Sequence, residues 1–89
     1  MASVRYRLIV SNAARKEALA LPREVQDRVR PAIAALADEP RPDGCVKLKD
    51  SEGFYRIRVG DYRAVYHVDD DKITVTVTRI KHRRDVYRP

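Results

Sequence analysis

The chain is expected to fold as an α+β domain, with two N-terminal helices packed on one face of a mainly antiparallel sheet of four to five strands. Three observations predict this. Val25, Val29, Ile33 and Leu36 recur at spacings of three and four and draw one apolar stripe along a helix. After residue 44 apolar and polar residues alternate with period two, the mark of strands covered on one side. Gly60-Asp61 interrupts that alternation as a Gly-X pair, the signal of a two-residue type II′ hairpin. The 89 residues are read as one domain, 1–89. A domain of that size buries only roughly 60–65% of the surface its unfolded chain exposes, so its core is thin.

The elements follow in order. VRYRLIVS (4–11) alternates and then runs apolar, which predicts an opening strand. Ser11 or Asn12 can cap a short helix that ends before Pro22, and Pro22 suits the first turn of a second helix. Pro31 lies inside that helix and is expected to kink or divide it, because it removes a hydrogen bond and crowds the preceding turn. DEPRPDG (38–44) reads as a loop. CVKLK, FYRIRV, YRAVYHV and ITVTVT then predict four strands, the last two joined by DDDK. The tail RIKHRRDVYRP (79–89) is too charged for a central strand. The resulting order is β-α-α-β-β-β-β.

With Gly60-Asp61 as the turn, register can be counted outward. Val59 faces Tyr62, Arg58 faces Arg63, Ile57 faces Ala64, Arg56 faces Val65, Tyr55 faces Tyr66 and Phe54 faces His67. Val59, Tyr62, Ile57, Ala64, Tyr55 and Tyr66 then share the core face, while Arg56, Arg58, Arg63, Val65, Phe54 and His67 share the other. If DDDK joins Val68 to Ile73, then Ile73, Val75 and Val77 continue the core face. Thr74, Thr76 and Thr78 continue the arginine face, with Thr78 beside Arg63. Alternation fails at Arg79-Ile80, which predicts a bulge or the strand's end. Arg58 opposite Arg63 costs about 0.2–1 kcal/mol, and no acid is placed on that face to offset it. Three arginines on one face, followed by a basic tail, point to an anion from outside, since guanidinium is a fork of donors matched to phosphate. Phe54, Val65 and the threonines offer surface for a base or ribose.

The totals narrow the function. Lys and Arg number 19 against 13 Asp and Glu, a net charge of +6, and the excess is concentrated in the tail. A basic tail with His and Tyr is a footprint of nucleic-acid contact, although a solvated basic end would have the same composition. No apolar run approaches the ~20 residues that span a bilayer, and no secretion signal opens the chain, so no membrane partner is expected. The single Cys45 forms no internal disulfide, which suits the cytoplasm. One Cys and two His argue against a zinc site, and no metal or other cofactor is expected.

Phosphodiester cleavage in RNA needs a base for the 2′-OH, charge stabilisation at phosphorus and an acid for the 5′-oxygen. Arginines suit the second task and are poor bases. The base would be Tyr87, its pKa lowered by cations, or a histidine. Each also has a bland role: Tyr87 as an anchor, His67 as a space-filler, His82 as a solvated tail residue.

The stretch LKDSEGFYRIRVGDYRAVYHVDDDKITVTVTRIKHRRDVYRP closely resembles the C-terminal half of the RelE/ParE superfamily of bacterial toxins. YRIRVGDYR followed some twenty residues later by HRRDVY is the specific pairing, and the N-terminal strand and helices also fit that RelE-like microbial RNase fold. For the RelE branch the resemblance implies a ribosome-dependent mRNA endonuclease (an mRNA interferase). Such a toxin enters the ribosomal A site and cuts mRNA without a metal, by 2′-OH attack that leaves a cyclic phosphate. It also implies a cognate antitoxin that wraps and inhibits the toxin, the pair contacting operator DNA only as a complex. Carried over by position, Arg56 and Arg58 stand where RelE toxins place basic residues, often lysines, that bind the scissile phosphate. Arg63 matches the arginine of the second hairpin strand. Arg83 matches a tail arginine assigned to the leaving group, where its high pKa favours charge stabilisation. Tyr87 matches the tyrosine that stacks on a base or activates the 2′-OH. Lys47 and Lys49 match a basic pair that contacts rRNA or mRNA, and Lys81, His82 and Arg84 are further RNA-binding candidates. Lys81 stands where the family often has Gly. The competing reading is a ParE-like inhibitor of DNA gyrase with no nuclease chemistry, and a third is an inactive relative.

Overall fold

The computed structural model describes residues 4–85. In order along the chain come β1 (Arg7–Val10), α1 (Asn12–Leu19), α2 (Arg23–Ala34) and a 3-10 turn (Ala35–Ala37). They are followed by β2 (Val46–Lys47), β3 (Phe54–Val59), β4 (Tyr62–Asp69), β5 (Thr74–His82) and a second 3-10 turn (Arg83–Asp85). The five strands form one sheet in the order β1-β5-β4-β3-β2. Only β1 and β5 pair in parallel, with Arg7 beside Thr74 and Val10 beside Val77. The expected mainly antiparallel α+β architecture is the one observed.

Local chemistry explains the helices. Ser11 is the cap of α1: its Oγ accepts from the Ala14 N–H at 3.1 Å and also donates to the Thr78 carbonyl at 3.1 Å. Ala14 is wholly buried, so α1 can lie close against the sheet. Gln26 ties the link between the helices by donating to the Leu21 carbonyl at 2.8 Å. Pro22 caps α2 from outside rather than occupying its first turn, and Glu24 in that turn complements the helix dipole. Pro31 does not divide α2. Both Pro31 and Asp27, whose carbonyl loses its usual donor, face solvent, so water can satisfy the orphaned oxygen. Three residues beyond Pro31 the helix tightens into the 3-10 turn that buries Leu36 and Ala37.

The core lies between the helices and one sheet face. Ala14, Val29, Ile33 and Leu36 meet Ile57, Ala64, Tyr66, Val68, Val75, Val77 and Ile80. Tyr66 is fully buried and its hydroxyl donates to the Pro40 carbonyl at 2.8 Å, which satisfies the one polar atom it carries inward.

All six β3–β4 pairs match the register counted from the turn. Gly60 has φ +59° and Asp61 an ordinary φ, as a type II′ turn requires. The β4–β5 register differs from expectation by two residues: Asp69 pairs with Thr74 and Val68 with Val75. An even shift preserves the faces but leaves Ile73 outside the strand, at φ +50° and exposed, so it does not continue the core face.

The failed alternation at Arg79-Ile80 is a bulge. Tyr66 pairs with Val77 and Val65 with Arg79, which leaves Thr78 without a partner. Its hydroxyl donates to the Val65 carbonyl at 3.2 Å. The bulge turns Ile80 into the core and Arg79 and Lys81 onto the opposite face. Lys81, not Thr78, therefore lies beside Arg63. The strand also runs on to His82, through residues whose charge argued against it. The charge is tolerated because β1 stops at Val77, so beyond the bulge β5 is an edge strand, where charged residues are at home.

Candidate nucleic-acid interface

Three cross-strand rows build the arginine face. One runs Val46–Arg56–Val65–Arg79, the next Arg58–Arg63–Lys81, and at the far end Phe54 pairs with His67 and His67 with Thr76. Val65 is only 3% exposed although no helix covers its face. Its register neighbours are Arg56 and Arg79, whose aliphatic stems can cover it. It therefore offers no surface to a base, contrary to expectation; Phe54 is half-buried and remains available.

The β3–β4 turn arranges two of the cations. Arg58 Nε donates to the Gly60 carbonyl at 3.1 Å. The Arg83 N–H donates to the Asp61 carbonyl at 2.7 Å, and its side chain lies 3.9 Å from the Asp61 carboxylate. Arg63 is at the centre. Loss of hydration and then the charges of Arg56, Arg58 and Arg83 push its pKa below the ordinary arginine value. It stays charged at any working pH, so the shift measures crowding rather than neutralisation. Among the described residues no ion pair joins Arg56, Arg58 or Arg63 to a carboxylate.

The remaining candidates fall elsewhere. Lys47 pairs with Tyr55, so alternation turns it to the helix side of the sheet, and Lys49 follows in the turn after β2. His82 pairs with Tyr62, a core-face residue, and packs edge-on against its ring at 5.2 Å. Its Nδ1 accepts from the Arg84 N–H at 3.2 Å, and Arg84 is exposed in the terminal 3-10 turn. His67 shares the arginine face but stands four residues from Arg63, about 13 Å along the strand. It packs edge-on against Phe54 at 4.8 Å, and a Cβ at Gly53 would come within 2.7 Å of its Nε2. Both histidines thus have packing roles. Tyr87 lies outside the described residues.

Two residues escaped the sequence reading. Arg79 joins the arginine face through the bulge. Glu17, on α1, is an acid that reaches this face from a helix but not Arg56, Arg58 or Arg63: it accepts from Arg79 Nε and Nη2 at 3.1 and 2.9 Å, from Lys81 Nζ at 3.0 Å and from the Ile80 N–H at 2.8 Å. Burial pushes the Glu17 pKa up, but the Ile80 N–H, Lys81 and Arg79 together outweigh it and hold the group below its ordinary range. The broken alternation at Arg79-Ile80 was the signal for the first. For the second the only hint was Glu17 lying one helical turn from Ala14.

The scaffold that carries this face matches a known class of protein. The sequence model of the ParE toxin of type II toxin-antitoxin systems (parDE) matches residues 8–87. The toxin RelG of Mycobacterium tuberculosis is 36% identical over 67 residues, covering 75% of this chain and 77% of that protein. Among solved structures, the archaeal RelE–RelB complex of Pyrococcus horikoshii OT3 superposes with a TM-score of 0.80 at 26% identity, covering 92% of this chain and 99% of that one. The toxin-antitoxin complex RelBE2 of M. tuberculosis gives 0.76 at 32% identity, covering 92% and 95%. The isolated E. coli RelE toxin gives 0.77 at 27% identity, covering 94% and 87%. The chain belongs to the RelE/ParE superfamily of type II toxin-antitoxin toxins, on its RelE-like branch.

Proposed function

We propose that this toxin is a ribosome-dependent mRNA endonuclease acting in the cytoplasm on mRNA in the ribosomal A site. The observation that carries the reading is the convergence of Arg56, Arg58 and Arg83 on Arg63, with no internal anion for the three strand arginines among the described residues. In the proposed step the 2′-oxygen attacks phosphorus and the bond to the 5′-oxygen breaks. The products are a 2′,3′-cyclic phosphate and a 5′-oxyanion, which Arg83 stabilises and which takes its proton from solvent water to become the 5′-hydroxyl. The guanidinium groups carry the charge that builds on the phosphoryl oxygens, so no metal is required. Tyr87 takes the 2′-OH proton or stacks on the base; its phenol is the tail group whose pKa neighbouring cations would lower. Lys47 and Lys49, off the arginine face, would touch ribosomal RNA, and His82 and Arg84 would steady the strand at the tail, whereas Lys81 is held by Glu17.

The relatives solved as complexes with RelB-type antitoxins support a cognate antitoxin as partner. In this reading the antitoxin inhibits the toxin, and operator DNA is reached only through their complex. The ParE description of the matching family favours one alternative, inhibition of DNA gyrase. Mapping mRNA ends on translating ribosomes after induction separates the two. Cuts inside codons support the endonuclease; intact mRNA with gyrase-linked DNA damage overturns it.

A further inference from the structure

Arg79 and Lys81 belong by register to the arginine face, and Lys81 is the direct cross-strand neighbour of Arg63, yet both side chains bond to Glu17. Beyond Val77 the outer edge of β5 has no strand beside it, and α1 presents Glu17 there. The carboxylate binds the exposed Ile80 N–H of that edge and draws both cations sideways, at 2.9 Å from Arg79 and 3.0 Å from Lys81. Its side chain is only 16% exposed, against 40% for Arg79 and 33% for Lys81, so the acid is sheltered beneath the two bases.

We infer that Glu17 partitions the charge of the sheet face, withholding Arg79 and Lys81 from the anion so that only Arg56, Arg58, Arg63 and Arg83 meet it. Glu17 touches no substrate in this arrangement; it sets how many phosphates the face can engage. One carboxylate shared by two cations leaves a local excess of one instead of two, so the pair sites repel the central cluster less and compete with it less for the anion. Replacing Glu17 by Gln keeps an oxygen for the Ile80 N–H and removes the charge that restrains the bases.

The inference deepens the proposed RNA-binding role of this face, and the test separates the two. A short 2′-O-methyl RNA oligonucleotide, which lacks the attacking hydroxyl, serves as probe, and its affinity is measured against salt concentration. Each phosphate neutralised on a single strand adds roughly 0.7 to the slope of log K against log salt. Glu17→Gln is expected to steepen the slope by about 1.4, two phosphates' worth. The triple variant Glu17→Gln/Arg79→Met/Lys81→Met is expected to keep the wild-type slope, and it guards against a folding defect specific to the single variant. An unchanged slope in Glu17→Gln, or a triple variant shallower than wild type, overturns the inference, because Arg79 and Lys81 would then already lie on the RNA. Salt-insensitive binding by wild type that Arg63→Ala leaves unaltered sinks the anion face itself; failure of every variant to bind counts against both.

Discussion

Two ends of the sheet handle arginine in opposite ways. At one end Arg41 is fully engaged. Its guanidinium donates to both Asp70 oxygens at 3.3 and 2.8 Å, its Nε donates to the Tyr55 hydroxyl at 3.0 Å, and the Tyr6 hydroxyl donates to Asp70 at 2.7 Å. These bonds raise the pKa of Arg41 and lower that of Asp70, so each group favours the charge of the other. At the other end Arg63 has three arginines for company and its pKa moves down. The first cluster joins Tyr6 just before β1, the loop after the 3-10 turn, β3 and the β4–β5 turn, and is complete in itself. The second has a cost that no carboxylate among the described residues offsets for Arg56, Arg58 or Arg63, and the proposed RNA phosphate would offset it.

The largest effect that would break this contrast is functional. Arg63→Ala is expected to reduce mRNA cleavage, and with it growth arrest on induction, by about 10²–10³-fold, the range for loss of one preorganised charge-stabilising donor. Full toxicity in that variant would place the site elsewhere. Next comes the core beside the compensated end. Tyr66→Phe leaves the buried Pro40 carbonyl without its donor and should cost about 1–3 kcal/mol in a urea titration, with cleavage lost only in proportion to unfolded protein. Arg41→Ala removes a partly exposed ion pair, for which about 1 kcal/mol is an upper bound. The opposite sign is expected from Arg63→Ala in the same assay: relief of Arg58 should stabilise the free toxin by about 0.2–1 kcal/mol. The smallest effect is on pH. Asp70 and Glu17 both ionise more readily folded than unfolded. Their contribution is whole above the unfolded carboxylate range and fades as pH falls through the depressed folded values. Melting temperature should therefore drop below about pH 4.5 in the wild type and less steeply in Asp70→Asn.

Much of this contrast was legible in the chain. Gly60-Asp61 pins the hairpin, and period-two counting from it places Arg56, Arg58 and Arg63 on one face without error, because a turn that needs φ > 0 at one residue leaves little freedom of register. Beyond the next loop counting loses its anchor. DDDK admits more than one register, and Ile73 was assigned to the core although it ends in the turn. The bulge at Thr78 was visible as a broken alternation but not as the device that puts Arg79 and Lys81 on the cationic face. Glu17 was invisible because its partners lie 62 to 64 positions away in sequence, and no local pattern encodes a contact between α1 and the far strand. The histidines were ambiguous for a related reason: only packing against Phe54 and Tyr62 shows that each ring is already occupied.

The parallel pairing of β1 with β5 also sets a timetable. Arg7 is synthesised early, and its register partner Thr74 only after the helices and three other strands have been made. At ribosomal speeds of roughly 5–20 residues per second, β1 waits several seconds for the strand beside it. Until then α1 has no β5 to lie on, and Glu17 has no cation to hold. A chain so wired closes its core only once β5 has been translated, and a fragment that stops before β5 lacks Val75, Val77 and Ile80 from that core.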